Sequence, residues 1–171
     1  MKILYIIALA IFLPVFLLAQ TPEQRLEQMG ITLPSASAPA ANYVNAVRVG
    51  NLLFLAGKGP SNPDGTRTTG KLGETLTVEQ GYEAAKSVAI AHIAVLKSEL
   101  GDLSKVKRIV KVLGMVNATT DFTDHSKVTN GYSDMMVAVF GEKGKHARSS
   151  VGMCSLPFNI AVEVEVVVEV E

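Results

Sequence analysis

The sequence has few of the residues that form covalent cross-links and metal sites. Its 171 residues include one cysteine, three histidines and no tryptophan. A single cysteine, Cys154, excludes an internal disulfide and any metal site with several cysteine ligands. His92, His125 and His146 show neither HxH nor HExxH spacing. A structural zinc site is therefore not expected.

The sequence also lacks a surplus of charge of either sign. Lys and Arg together number 16, as do Asp and Glu, so the formal net charge is zero. Proteins that bind nucleic acid through its phosphates usually carry a basic surplus, so no nucleic-acid partner is predicted. The chain is 48% hydrophobic and 19% charged, with 14 Gly and 7 Pro, which is typical of one globular domain.

Residues 1–20 have the pattern of a secretory signal peptide. Lys2 precedes an apolar run that extends to Leu18, and Ala19 and Gln20 lead into a polar segment. We therefore predict export, to the periplasm or out of the cell, with cleavage after Ala19 or Gln20. The alternative is an uncleaved membrane anchor, which would be the protein's only membrane contact. The run is short for a membrane span, and Pro14 weakens it further.

Residues 21–41 read as an extension and linker, and residues 42–171 as one α+β domain. A short helix is expected within 21–29, and the segment PSASAPAA at 34–41 is a linker by composition. Alternating and 3.6-residue patterns predict the remaining elements. These are strands at 43–49, 52–56, 106–116, 146–154 and 160–170, and helices at 77–101 and 124–141. The order β-β-α-β-α-β-β favours a mixed sheet with both helices packed on one face.

The last strand has the clearest pattern in the sequence. Valines alternate with glutamates along residues 162–171, and Val167 is the one interruption of the acidic side. Successive side chains of a strand point to opposite faces of the sheet. One face is therefore predicted to be buried and the other to be wet. This accounts for most of the glutamates without deciding whether any one of them has a chemical role.

Over residues 42–171 the sequence resembles the RidA (YjgF) family. Three segments carry the resemblance: NYVNAVRVGNLLFLAGKGP at 42–60, the block from LTVEQGY to GDLSKVKRIVKVLG, and HARSSVGMCSLPFNIAVEVE at 146–165. The last is the most specific, with A-R-S followed by Leu-Pro and V-E-V-E. The resemblance implies a chorismate-mutase-like fold and a homotrimer with three ligand clefts between subunits. The segments NGYSD and FGEKGKHARS look like those of a divergent branch.

The resemblance also implies a chemistry, the hydrolysis of reactive enamines and imines to 2-keto acids and ammonia without a cofactor or a metal. The arginine that holds the substrate carboxylate in this family matches Arg148, and the glutamate that steers the attacking water matches Glu163. Tyr43 and Gly57 match cleft residues.

This sequence departs from the family pattern around the cleft. Ala56 and Lys58 replace the common serine and glutamine beside the cleft glycine, and Lys58 adds charge at the mouth of the cleft. Ser150 replaces a common cysteine. Asn130 lies near the family's asparagine in sequence but out of register. The resemblance therefore supports carboxylate binding by this protein more strongly than it supports catalytic turnover.

Each candidate residue has a plain alternative role. Arg148 offers a planar fork of donors that matches a carboxylate, but it could be an ion-pair partner. Glu163 could orient and deprotonate a water, or only solvate the sheet. Tyr43 could stack on a ligand, although a place in the hairpin core is favoured. Gly57 could admit a ligand to the backbone or form a turn, and Ser150 could bind a ligand or fill space.

Two further side chains are expected to be structural. His146 is predicted to be a solvent-exposed histidine at a strand end rather than a proton donor. Cys154 is predicted to be a small buried hydrophobe rather than a nucleophile, because no Cys–His pair is indicated.

Two functions remain open from the sequence. The first is an enamine/imine deaminase, and the second is a non-catalytic trimer that binds small carboxylates. Export favours the second, because the pyridoxal-phosphate enzymes that generate such imines are normally cytosolic.

Overall fold

The computed structural model describes residues 20–39, 41–62 and 64–171, so the predicted signal segment, apart from Gln20, lies outside the described residues. In chain order the helices and strands are α1 (Pro22–Gln28), β1 (Ala46–Val49), β2 (Leu52–Lys58), α2 (Val78–Leu100), β3 (Val106–Asn117), α3 (His125–Phe140), β4 (Ala147–Met153) and β5 (Val162–Val170). The predicted short helix near the amino end is confirmed as α1, and the predicted order β-β-α-β-α-β-β is confirmed. No helix among the described residues is long and apolar enough to span a membrane.

The long helix α2 begins and ends where local chemistry predicts. The Gln80 N–H donates to Oγ1 of Thr77 at 3.2 Å, and the Thr77 N–H donates to Oε1 of Gln80 at 2.9 Å. This reciprocal capping box satisfies two donors that a helix start would otherwise leave unpaired. Gly101 ends the helix with φ 73°, in the left-handed region that favours glycine.

The five strands form one sheet in the order β1-β2-β5-β3-β4. Strands β3 and β4 are parallel, and the other neighbouring pairs are antiparallel. In the central strand β5, the valines at 162, 164, 166, 168 and 170 are buried, whereas Glu163, Glu165 and Glu169 are not. The predicted division of this strand into a buried and a wetter face is therefore confirmed.

Helices α2 and α3 cover the valine face of the sheet, and their buried side chains complete the core. Val88 and Ile93 of α2 and Val112 of β3 are fully buried. Each side chain of this size contributes about 1.5–3 kcal/mol when it leaves water. We call the other side of the sheet, which carries Glu163 and Glu165, the outer face.

The strand boundaries differ from the prediction at the first hairpin. Strand β1 begins at Ala46 rather than Tyr43, and β2 continues through Lys58. The register of β2 against β5 shifts between Leu55 and Lys58, which marks a β-bulge. Such an irregularity is common beside functional sites and is not visible in an alternating pattern, because it depends on the partner strand.

The sequence-based expectations about the burial of Cys154 and Tyr43 are wrong. Cys154 is exposed rather than buried, because it lies just past the end of the edge strand β4. Tyr43 is 49% exposed and precedes the hairpin instead of covering its core. Hydrophobic periodicity predicts which face of a helix or strand is buried. Both of these residues lie in loops, where there is no such periodic pattern.

A polar pair in the core, His92 and Tyr132, is fully buried. The imidazole Nδ1 lies 2.9 Å from the Tyr132 hydroxyl, and Nε2 lies 3.1 Å from the carbonyl oxygen of Ala56. A neutral ring satisfies both contacts when Nε2–H donates to the carbonyl and Nδ1 accepts from the hydroxyl. Burial lowers the pKa of His92 from 6.5 to about 4.

His92 should make the protein less stable in mild acid. In the unfolded chain its pKa is about 6.5. Between that value and about 4 the unfolded state therefore binds a proton that the native state does not. The free energy of unfolding is expected to fall by up to about 3 kcal/mol as the pH drops through this window. Chemical denaturation at several pH values should show that the free energy of unfolding depends less on pH in His92→Gln than in the wild type. An equal pH dependence in the two proteins would contradict the lowered pKa of His92.

Candidate functional site

A cavity of about 350 Å³ opens beside the bulge of β2. Four of the sequence-predicted residues line it: Tyr43, Gly57, Lys58 and Glu163. They come from the segment before β1, from β2 and from β5. The sheet brings these residues together because β2 and β5 are hydrogen-bonded neighbours.

Gly57 is required by close packing rather than by a turn. It lies within β2 at the bulge, where a Cβ atom would overlap Oε1 of Glu163. The absence of a side chain at Gly57 therefore lets the Glu163 carboxyl lie directly against the backbone of β2. The turn interpretation of this glycine is wrong.

Glu163 is half-buried at the cavity wall and has no ion-pair or hydrogen-bond partner within the described ranges. Burial raises the pKa of its carboxyl, and the nearby Glu165 raises it further. A carboxylate with a raised pKa is a stronger base, and it is better matched to proton transfer near neutral pH.

Lys58 enters the same cavity with its amino group held by neutral acceptors. Its Nζ donates to Oδ1 of Asn45 at 2.7 Å and to Oγ of Ser37 at 3.3 Å. Burial lowers the pKa of the Lys58 amine, because a partly desolvated ammonium loses favourable hydration.

Arg148 lies on β4, at the edge of the sheet, and packs against α3. Its Nη1 donates to Oδ1 of Asn130 at 3.0 Å and to Oγ of Ser133 at 2.9 Å. Its Nη2 lies 3.5 Å from the carbonyl oxygen of Ser126. The surroundings of this guanidinium are therefore polar.

Ser150 and His146 surround Arg148 on the same side of the sheet. The Ser150 hydroxyl donates to Oγ1 of Thr129 at 2.8 Å. His146 is half-buried rather than exposed, because its Nε2 lies 2.9 Å from Oγ of Ser133 and its Nδ1 lies 2.7 Å from the Gly144 carbonyl oxygen. Burial lowers the pKa of His146 and favours the neutral ring.

Within one chain the six candidate residues form two separate groups. Arg148 pairs in register with Val112, which is buried beneath the helices, whereas Glu163 pairs with Met115 on the outer face. Side chains in register share a face, so Arg148 and Glu163 lie on opposite faces. Strands β5 and β3 separate β2 from β4. Three interstrand steps amount to about 14 Å between the cavity and β4.

The sequence reasoning missed several residues that the structure places in these groups. Arg67 and Phe158 line the cavity, and the Arg67 guanidinium carbon lies 4.8 Å from the centre of the Phe158 ring. Asn130 contacts Arg148 although it is out of register with the family's asparagine. Asn130 and Ser133 lie three residues apart on one face of α3, and this helical spacing was a second signal for the contact, beside the position of Asn130 near the family's asparagine.

A metal ion would need a set of suitable ligands among the described residues. No group of three His, Cys, Asp or Glu side chains within residues 20–39, 41–62 and 64–171 could hold a metal ion. The charged side chains described at the two sites are three cations, Lys58, Arg67 and Arg148, and one carboxylate, Glu163, a balance that suits a small organic anion.

Comparisons with known proteins agree with the fold. A Trypanosoma cruzi protein named TCP17 is 47% identical over 145 residues, which cover 84% of this chain and 91% of that protein. A crystal structure from Shewanella oneidensis superimposes with a TM-score of 0.85 and 34% identity, covering 88% of this chain and all of that one. A Dermatophagoides farinae protein named 2-iminobutanoate/2-iminopropanoate deaminase is 28% identical over 142 residues, or 82% of this chain and 95% of its own.

The family model for YjgF/chorismate mutase-like proteins, whose description also names an endoribonuclease activity in provisional terms, matches residues 23–170. Among the described residues, this range contains every strand of the sheet, helices α2 and α3, and all of α1 except its first residue. The five-stranded mixed sheet with α2 and α3 on one face is the fold that the resemblance implied. The chain belongs to the YjgF/chorismate mutase-like family, and its coarse function is of the RidA type.

Proposed function

We propose that this protein hydrolyses small imines and enamines that carry a carboxylate, giving 2-keto acids and ammonia. Arg148 binds the carboxylate, and Glu163 directs the water. The similarity to a named 2-iminobutanoate/2-iminopropanoate deaminase supports this reaction class. The balance of 16 basic and 16 acidic residues gives no support to an activity on RNA.

The observation that carries the proposal is the unpaired charge of Arg148. Its contacts within the described residues are a side-chain amide oxygen, a hydroxyl and a carbonyl, all neutral. These acceptors orient the guanidinium without neutralising it. A ligand carboxylate that meets the fork would form charge-assisted hydrogen bonds, roughly twice as strong as neutral ones.

Glu163 suits the chemical step. Water adds to the carbon of the protonated imine while one of its protons passes to the Glu163 carboxylate, which gives a carbinolamine with OH and NH₂ on one carbon. Glu163 then returns that proton to nitrogen, the C–N bond breaks, and the hydroxyl proton passes to the departing ammonia as the carbonyl of the keto acid forms. One water is consumed, one ammonium is released, and the carboxylate ends in its starting state.

A complete site requires a second copy of the chain. Arg148 and Glu163 lie on opposite faces of the sheet, and a three- or four-carbon acid is too short to span the separation between their groups. The outer face also has exposed apolar side chains, Val47 at 52% and Phe54 at 43%. Exposed apolar patches of this kind typically mark protein contacts. We propose a homotrimer in which each cleft combines Arg148 of one subunit with Glu163 of its neighbour.

The proposed trimer can be tested by measuring the mass of the protein in solution. Light scattering at micromolar concentration should give three times the mass of the chain. Phe54→Glu should dissociate it, because this change places a charge among the apolar side chains of the outer face. Ser98→Glu, on the exposed side of α2, is the matched control and should leave the trimer intact. A wild-type monomer would remove the intersubunit cleft.

Export remains part of the proposal. Mass spectrometry of the native protein should find a chain that begins at Gln20 or Thr21. An intact Met1 on membrane-bound protein would refute cleavage and support the anchor instead.

The reaction itself is tested with imines generated in solution. 2-Iminobutyrate or 2-iminopropionate is formed by an amino-acid-consuming enzyme, and release of the keto acid is followed with and without this protein. Acceleration above the spontaneous rate supports the deaminase. Binding of 2-keto acids without acceleration would instead favour the carboxylate-binding trimer, which predicted export also favours.

A further inference from the structure

Two cationic side chains, Lys58 and Arg67, line the cavity that contains Glu163, and the proposed reaction uses neither of them. Among the described residues, no carboxylate oxygen lies within 4.0 Å of the Lys58 amine or the Arg67 guanidinium. The ion pairs in this part of the chain all involve other lysines. Among the described residues that line this cavity, Glu163 is the one acidic side chain, against two cations. With two cations and one acid, the charge of the lining favours the binding of an additional anion.

The Lys58 ammonium is held in place and keeps donor capacity. It donates to Asn45 and Ser37, which are neutral, and an ammonium has three protons. Burial lowers the pKa of this amine, and an anion placed beside it would restore the preference for the charged form. The site around Lys58 thus lacks the counter-charge that would compensate for its desolvation.

Arg67 is held by an aromatic ring rather than by an acid. Its guanidinium lies over Phe158, and stacking leaves the in-plane N–H donors for another partner. The backbone of Phe158 has φ 55°, and Asn159 also has φ 55°. Positive φ at non-glycine residues is a strained conformation that tends to occur at ligand sites. This turn sets the ring beneath Arg67 at the mouth of the cavity.

We propose that Lys58 and Arg67 form a second anion subsite, so that the preferred ligand carries two carboxylates, as in a 2-imino or 2-keto dicarboxylic acid. The inference rests on the proposed function for the first carboxylate, which Arg148 binds. The second carboxylate extends into the Glu163 cavity and meets Lys58 and Arg67. A monocarboxylic acid of equal length would bring no negative charge to either cation.

Two ligands of equal chain length test the subsite, because 2-oxoglutarate and 2-oxopentanoate differ only at the terminal carboxylate. Calorimetry on the full-length wild-type protein should show a preference of about tenfold or more for 2-oxoglutarate. Lys58→Gln should remove most of this preference and Arg67→Gln part of it. The affinity of both variants for 2-oxopentanoate should stay close to that of the wild type. Lys86→Gln removes the same charge from α2, outside the cavity, and should change neither affinity.

The outcomes separate this inference from the proposed function. Equal wild-type affinity for the two acids, no binding of either, or a preference that survives both substitutions overturns the subsite. If 2-oxopentanoate binds through Arg148 without any preference for the dicarboxylate, only the subsite fails. If the preference depends on Lys58 while Arg148→Ala changes nothing, the subsite stands and the proposed role of Arg148 fails.

Discussion

Arg148→Ala is expected to weaken the binding of 2-keto acids by about 30-fold or more. Removing one partner of a desolvated, hydrogen-bonded charge pair costs about 2–5 kcal/mol, and each 1.4 kcal/mol is a factor of ten. The guanidinium is half-buried and already oriented by Asn130 and Ser133, so it needs little reorganisation to bind a carboxylate. Calorimetric titration with 2-oxobutyrate would measure the loss.

Two variants make this result specific. Arg148→Lys should recover only part of the affinity, because an ammonium keeps the charge but cannot reproduce the planar fork. Arg108→Ala removes an exposed arginine from β3 and should leave binding unchanged. Light scattering and circular dichroism would check that each variant keeps its assembly and fold. Keto-acid binding that is indifferent to Arg148 would refute its role in both the enzyme and the binding module.

Glu163→Gln is expected to abolish imine hydrolysis and leave keto-acid binding nearly intact. The amide is close in size to the carboxyl and fits against Gly57, but it cannot accept the proton of the attacking water. General base catalysis typically contributes about 10²–10⁴-fold, so the enzymatic rate should fall by at least the lower factor. In the wild type, activity should also decline as the pH drops through the raised pKa of Glu163, because the protonated form is no base.

A second glutamate on β5 provides the control. Glu169 lies on the same face of the strand, and its Oε1 accepts a hydrogen bond from Asn51 at 3.1 Å near the hairpin turn, away from the cavity. Glu169→Gln should therefore keep full activity. Unchanged hydrolysis by Glu163→Gln would exclude Glu163 as the base, whereas wild-type binding without any hydrolysis would leave the carboxylate-binding module as the function.

Much of the fold could be predicted because its determinants are local. The apolar stripe of α2 between the Thr77 capping box and Gly101 lies within one stretch of chain, so its helix needs no knowledge of distant partners. The alternation of β5 identifies a strand with a buried face in the same way. Individual candidate residues could be named from the sequence, since Arg148 and Glu163 fall within one motif at 146–165.

The parts that could not be predicted depend on contacts between distant segments. The bulge at Gly57 arises from the pairing of β2 with β5, and Arg67 at the cavity lies over the ring of Phe158, which comes from a distant part of the chain. The exposure of Tyr43 and Cys154 follows from where loops leave the sheet, and no periodic pattern records that position.

The sequence by itself determined the element order, the two faces of β5 and the family, because hydrophobic periodicity, capping and short motifs are properties of neighbouring residues. Only the tertiary structure decided that Tyr43, Gly57, Lys58 and Glu163 share one cavity while Arg148 and Ser150 lie across the sheet. The physical reason is strand order. Residues 148 and 163 are close along the chain, but β4 pairs with β3 and not with β5, so hydrogen bonding across the sheet separates what the sequence places together.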